Sequence, residues 1–315
     1  MASSLSKKGR SRSKRGIMAE KHVDYDDLAA TYDQRFASAD RSETTAALQT
    51  LVQALDAGRL LEVGCGTGHW LAELAQAAGG ACKLWGLDIS AGMLAQARAR
   101  GAGLRLVRGR AGQLPYPDGA FDLVYCVNAL HHFQQQRAFV AEARRLLRPG
   151  GALAVIGMDP HAGPGAWYIY DYFAGTLSAD LARFRAWDTV QDWMNACGLE
   201  QCAWQPVERI HVPQVGRAVL DDPFLRKEST SQLALLSDEA YARGLARIEA
   251  ALADAEAAGK EITFHTNITI GMLVGWAPEA APGRWPATGS VENLPNHPIR
   301  NSEFAPMARE ETHER

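Results

Sequence analysis

Three glycines at alternate positions close an apolar run, Leu60-Leu61-Glu62-Val63-Gly64-Cys65-Gly66-Thr67-Gly68-His69-Trp70, and a helix-like stretch, Leu71 to Ala78, follows at once. No other feature constrains the fold so strongly. Glycine lets a backbone turn tightly and lets a ligand approach with no Cβ in the way. The exposed N–H groups of such a turn, with the helix N-terminus behind them, form a small electropositive nest. Twenty residues after Gly68, Asp88 ends a second apolar run, Lys83-Leu84-Trp85-Gly86-Leu87. A carboxylate at the tip of a neighbouring parallel strand is placed to accept both hydroxyls of a ribose. Together these features imply a site for a nucleoside-containing cofactor.

The spacing discriminates between cofactors. Dinucleotide sites read G-x-G-x-x-G, with the pyrophosphate on the helix N-terminus. Here the third glycine arrives one residue early, at Gly68, and Glu62 stands two residues before the first. In this respect the chain resembles the class I S-adenosylmethionine-dependent methyltransferases, and among them the type 11 group that includes the ubiquinone and menaquinone methyltransferases. Further motifs carry the resemblance in order: Asp88-Ile89-Ser90-Ala91-Gly92-Met93-Leu94, Gly109-Arg110-Ala111-Gly112-Gln113-Leu114-Pro115, Phe121-Asp122-Leu123-Val124 with Leu130-His131-His132, and Leu146-Leu147-Arg148-Pro149-Gly150-Gly151. Upstream, Tyr25 to Asp33 is similar to the family's lid helix, whose tyrosine reaches over the cofactor. The likeness covers about residues 23 to 160.

The resemblance implies S-adenosylmethionine as cofactor, with Tyr32, Glu62, Gly64, Cys65, Gly66, Gly68, Asp88, Ile89, Met93, Ala111, Gly112 and Asn128 around it. It implies a methyl transfer by direct displacement to a small-molecule acceptor. It also implies a Rossmann-like α/β fold: a seven-stranded, mostly parallel sheet with helices on both faces and an antiparallel last strand. One departure stands out. The family has Asp where this chain has Arg110, and an arginine side chain has no acceptor for the adenine amino group. Adenine recognition at that point would fall to the backbone of Arg110 and Ala111.

The pattern of the chain agrees with that fold. Apolar runs at 60–63, 84–88, 104–109, 121–127 and 152–158 alternate with stretches of helical length, which implies a parallel sheet covered on both faces. Further on, Trp187 to Cys197 reads as a helix stopping at Gly198, Gln201 to Ile210 as a strand, and Ile262 to Ile270 as a half-buried strand of period two, the expected reversed strand. The aromatic run Trp167 to Phe173 and the block Leu233 to Ala258 are additions to the basic plan. Core packing is the favoured reading of the aromatics, a pocket wall the alternative. Leu236, Tyr241, Leu245, Ile248 and Leu252 keep helical spacing and read as core.

The expected organisation is a basic head at 1–21, a methyltransferase domain at 22–277 and a Pro-rich tail at 278–315. Within the domain, 22–160 forms the cofactor half and 161–277 the closing, substrate half. Seven Lys and Arg against one Glu occupy the head, and six of the fourteen prolines lie beyond Ala277. The rest of the chain is acidic on balance, which argues against an extended nucleic-acid surface. No apolar run approaches the roughly 18 residues of a membrane helix. Five scattered cysteines without metal-ligand spacing suit a reducing cytoplasm, and no metal is expected. Oligomeric state leaves no mark on the sequence.

Candidate groups for proton removal from an acceptor are His131 and His132, after the fourth strand, and Asp159 and His161, after the fifth. Asp159-Pro160 also reads as the start of a turn. The other classes the sequence admits are an RNA or protein methyltransferase guided by the basic head and a non-catalytic cofactor-binding protein. A nicotinamide oxidoreductase is disfavoured by the glycine spacing.

Overall fold

The computed structural model describes residues 25–29, 32–33, 42–101, 103–163 and 165–279. The expected basic head, and the tail beyond residue 279, lie outside the described residues.

Local sequence sets the elements. β1 (Arg59–Val63), β2 (Lys83–Asp88), β3 (Arg105–Arg108), β4 (Phe121–Val127) and β5 (Leu147–Gly157) alternate with α3 (His69–Ala77), α4 (Ala91–Arg100) and α5 (Gln136–Leu146). Before them come α1 (Tyr25–Leu28) and α2 (Ser42–Ala54). Ser90 caps α4, its Oγ accepting the Met93 N–H at 3.0 Å. In β5 the Pro149-Gly150-Gly151 stretch forms a bulge: Phe121 pairs with Leu147, but Leu123 pairs with Ala152.

The closing half adds β6 (Ala166–Trp167), α6 (Tyr168–Tyr172), α7 (Thr176–Arg183), α8 (Trp187–Ala196), β7 (Glu200–Val215), α9 (Ser231–Ala234), α10 (Asp238–Ala257) and β8 (Thr263–Trp276). The sheet runs β3-β2-β1-β4-β5-β8, with β7 on the far edge of β8 and the two-residue β6 beside its beginning. β1 to β5 pair in parallel, and β8 is antiparallel to both β5 and β7. The seven expected strands are present with the reversed strand in its expected place, and β6 is an eighth. The block at 233–258 is two helices, because Ser237 caps a fresh start at Asp238.

Alternation divides the core between the two faces. Leu60 and Leu123 join one apolar cluster, with Leu48, Leu71 and Ile156; their neighbours Leu61 and Val124 join the other, with Phe139 and Leu153. All seven residues of β4 are buried, as a central strand covered on both sides requires.

Two consequences of topology place the site. Strand order reverses between β1 and β4, opening a crevice at the carboxyl ends of the parallel strands. β8 then overshoots: it pairs with β5 only from Gly271 to Trp276, so residues 263–270 run past the end of β5, with β7 alongside. That overhang walls the crevice.

Candidate functional site

The glycine loop leaves β1 and enters α3. Gly64, Gly66 and Gly68 have φ of +73°, +52° and +73°, all in the left-handed region where side chains are strained. The three are not equivalent. A Cβ on Gly64 would lie 2.7 Å from Ala129 Cβ, and one on Gly68 would lie 3.0 Å from Ala97 Cβ. A Cβ on Gly66 would meet nothing closer than Tyr32 Cε1 at 3.9 Å. Protein packing therefore explains two of these glycines, whereas Gly66 borders a space that the described residues leave open.

Asp88, at the tip of β2, is tied into this loop. Its Oδ2 accepts the Gly66 N–H at 2.8 Å and its Oδ1 accepts the Ser90 N–H at 2.9 Å. Burial pushes its carboxyl above the usual aspartate range, against the lowering effect of these N–H groups. Each oxygen keeps a lone pair for a further donor. Ile89 beside it is 50% exposed.

The lid segment grips both sides of this site. Asp26 Oδ1 accepts from Ser90 Oγ and, at 2.8 Å, from the Gly92 N–H. Asp33 accepts from Thr67 Oγ1 at 2.6 Å and pairs with Arg100. Tyr25 stands edge-on to Tyr32, and its hydroxyl is 2.7 Å from His132 Nε2.

Ala111 and Gly112 follow β3 in a turn closed by Gln113 N–H donating to the Arg110 carbonyl. The Arg110 guanidinium donates to Gln134, so what this corner offers a ligand is backbone. Glu62, Cys65 and Met93 are instead 1%, 3% and 1% exposed. Their side chains belong to the interior, and Cys65 meets the open side of the loop only through its backbone.

Glu62 is a buried carboxyl. Tyr125 O–H donates to its Oε2 at 3.3 Å, while Oε1 has no partner among the described residues. Burial raises its pKa well above the ordinary glutamate range. The native state therefore holds this proton at pH values where the unfolded chain, titrating near about 4.3, has released it. The sign follows: from about pH 4.3 upward this group costs stability at up to about 1.4 kcal/mol per pH unit, until its native pKa is reached. Glu62→Gln removes that slope. Its urea midpoint should gain on the wild type as pH goes from 4 to 8, and parallel profiles would refute the assignment.

Beside the loop lies a cleft of roughly 970 Å³ counting its solvent-filled mouth. Asn128, His131 and His132 from the end of β4 line it, as do Met158 after β5, Trp167 of β6 and Ile268 and Ile270 of the β8 overhang. Tyr25 and Tyr32 come from the lid, and residues 228–232 form a polar stretch. Asn128 takes a left-handed φ of +49°, which asparagine tolerates, and its N–H donates to Ile156 O. His131 stacks on Phe184, ring centroids 3.8 Å apart.

Asp159 and His161 do not line the cleft. Asp159 accepts the N–H of His161 at 2.8 Å and that of Trp187, at the start of α8, at 2.9 Å. His161 Nε2 is 3.2 Å from the Phe184 carbonyl. The pair shapes the loop that carries Phe184, which is the turn reading of Asp159-Pro160. In this arrangement both groups position the loop, and Asp159, like Asp88, keeps lone pairs beyond its two backbone N–H partners.

The aromatic run divides. Tyr168, Ile169 and Phe173 are at most 1% exposed, and Tyr168 O–H donates to Asp222 at 2.9 Å. Only Trp167 of the run reaches the cleft. Behind the wall sits Asp180, fully buried, which accepts from Tyr170 O–H at 2.7 Å, from Gln232 Nε2 at 2.6 Å and from Arg183. Asp180, Phe184 and the 224–232 stretch were invisible to sequence reasoning, because no local spacing marks them.

Residues 61–155 match the family model described as a methyltransferase domain. The chain is 39% identical over 98 residues to the demethylmenaquinone methyltransferase of Geobacillus kaustophilus, covering 30% of this chain and 42% of that protein. It is also 39% identical over 117 residues to the phthiotriol/phenolphthiotriol dimycocerosates methyltransferase of Mycobacterium leprae, covering 36% and 43%. These alignments thus span less than half the length of either relative. A crystal structure of a putative methyltransferase from an antibiotic biosynthesis pathway of Anabaena variabilis shares the fold, with a TM-score of 0.56 at 20% identity, over 73% of this chain and 96% of that one.

Proposed function

We propose that the chain is an S-adenosylmethionine-dependent methyltransferase that methylates a small-molecule acceptor held in the cleft. The observation that carries the reading is the open cradle at Gly66 beside Asp88, inside the segment that matches a methyltransferase domain. The cradle fits a nucleoside: glycine stands where only a ligand would exclude a side chain, and a carboxylate with spare lone pairs stands where ribose hydroxyls would need acceptors.

The residues that would hold the cofactor are the backbone of Gly64 to Gly68, Asp88, Ile89, Tyr32 and the backbone of Ala111 and Gly112. Glu62, Cys65 and Met93 support the loop from beneath, and Asn128 stands where loop and cleft meet. When bound, S-adenosylmethionine supplies an activated methyl group on a sulfonium, so no covalent protein intermediate is needed. The protein's task is alignment and exclusion of water. Tyr25 and Tyr32 cover the site, and the apolar wall of the cleft keeps the acceptor dry. Where the acceptor arrives protonated, His131 or His132 would take the proton.

The finer assignment to the ubiquinone and menaquinone methyltransferase-like subgroup rests on the partial match to a demethylmenaquinone methyltransferase. A cytoplasmic location is supported by five free thiols. No helix among the described residues is long and apolar enough to cross a membrane.

Calorimetric titration with S-adenosylmethionine, S-adenosylhomocysteine and NAD⁺ tests the reading. Binding of the first two and not of NAD⁺ is expected, and the reverse result would overturn it. Asp88→Ala should weaken S-adenosylhomocysteine binding by about 1.5–3 kcal/mol, the range for hydrogen bonds to a charged group. Unchanged affinity would remove Asp88 from the site.

A further inference from the structure

Arg145, on α5, uses every donor it has. A guanidinium carries five N–H groups. Its Nε donates to Glu142 Oε1 at 2.9 Å, and Nη2 donates to Glu142 Oε2 at 2.8 Å and to the Leu114 carbonyl at 3.1 Å. Nη1 donates to the Tyr116 carbonyl and to Asp118 Oδ1, both at 2.8 Å. Glu142 Oε2 in turn accepts the Leu114 N–H at 2.8 Å. The Glu142–Arg145 pair therefore meets both backbone groups of Leu114, as a neighbouring strand would.

What the pair holds is the loop after β3. Gly109 N–H donates to the Asp88 carbonyl at 2.9 Å, so the loop departs directly beside the aspartate proposed to take the ribose. Residues 110–113 then close on themselves by one backbone bond, from Gln113 N–H to the Arg110 carbonyl, and Ala111 and Gly112 stay half-buried. On the α5 side, a Cβ added to Gly112 would lie 2.6 Å from Gln135 Oε1. Leu114, 3% exposed, is the next fixed point. The turn thus hangs between two anchors, Asp88 before it and Leu114 after it.

The Arg110 side chain offers no acceptor, so a base in this corner is read by main chain alone. Main-chain groups have no rotamers to adjust, and their selectivity depends on how firmly the turn is held. We infer that Arg145 is a positioning residue which, through Leu114 and Tyr116, fixes the 110–113 turn and so sets the selectivity for adenine. The inference rests on the methyltransferase reading for the cofactor's place beside Asp88. Adenine presents a donor at its 6-amino group and an acceptor at N1. Hypoxanthine, with a carbonyl and an N–H there, reverses both, and backbone groups held in place cannot serve the two bases alike.

The test compares S-adenosylhomocysteine with S-inosylhomocysteine by calorimetry on the full chain. The wild type should prefer the adenine compound by at least about ten-fold. Arg145→Lys keeps the charge, but its three donors sit on one nitrogen and cannot span Leu114, Tyr116 and Glu142. The preference should fall to about two-fold, through weaker binding of S-adenosylhomocysteine. Asp118→Asn removes only a surface partner, 79% exposed, and should leave the preference at its wild-type value. Arg148→Lys loosens a brace of the same kind at the amino ends of β1 and β4, where Arg148 pairs with Asp122 and donates to the Leu55 carbonyl. It should lower the melting temperature and leave the preference intact, whereas a merely structural role for Arg145 would make the two lysine variants behave alike. Should Arg145→Lys fail to fold, Glu142→Gln, which breaks the fork to Arg145, must narrow the preference by about three-fold. Equal binding of the two compounds by the wild type, an unchanged preference in the variant, or an equal narrowing in Arg148→Lys overturns this inference alone. No binding of S-adenosylhomocysteine to the wild type overturns the methyltransferase reading and this inference with it.

Discussion

Gly66→Val is expected to lower the affinity for S-adenosylhomocysteine by at least about 100-fold, or about 2.7 kcal/mol, while the protein stays folded. The position is selective because its neighbours are not. A side chain at Gly64 would collide with Ala129 and Phe133 inside the protein, and one at Gly68 would press on Ala97. Variants there test packing. At Gly66 the described residues offer room, with only Tyr32 Cε1 among them within 4 Å of an added Cβ. The γ-methyls of valine would occupy that room, which is the approach to the Gly66–Asp88 pair. The left-handed φ of +52° adds backbone strain, of order 1–3 kcal/mol. A lowered melting temperature is thus expected, and Gly66→Ala should separate strain from obstruction, since it carries the first with little of the second. Calorimetry on the folded variant decides. Affinity within a few-fold of the wild type would show that nothing binds against that loop.

The second large effect is on stability. Asp180→Ala should cost about 3–5 kcal/mol, the scale for removing one partner of a buried ion pair, against total stabilities of about 5–15 kcal/mol. Asp180 is fully buried and gathers Tyr170, Gln232 and Arg183. Without it, two neutral donors and a guanidinium whose Nε already lacks a partner are left in a dry environment. Burial also holds the Tyr170 hydroxyl in its neutral form, so it cannot compensate by ionising. Asp180→Asn keeps the shape and part of the hydrogen bonding and should lose less. Urea midpoints for the two variants measure this. A loss under about 1 kcal/mol for the alanine variant would mean that water enters and replaces the carboxylate.

Much of the cofactor side was legible beforehand because its signals are local. The turn at 64–68 needs glycine at alternate residues, the helix after Asp88 needs its serine cap, and the parallel strands need continuous apolar runs. Each requirement is met within a few residues of chain, so each leaves a pattern in the sequence. The reversed strand was legible for the same reason, its period-two alternation surviving from Ile262 to Ile270. Where spacing was silent, as for Asp159 and His161, only the folded chain shows their hydrogen bonds to the Trp187 N–H and the Phe184 carbonyl.

The sequence by itself thus determined the parallel sheet, the glycine loop and Asp88 beside it, since short-range geometry allows few other residues there. Only the tertiary structure decided the cleft. Its walls come from residues as distant as Tyr25, Trp167, Phe184 and Ile270, joined because β8 overshoots β5 and carries β6 and β7 with it. Periodicity reports which face of an element is buried. It carries no information on which far segment covers that face, so the cleft can be found only once the chain is folded.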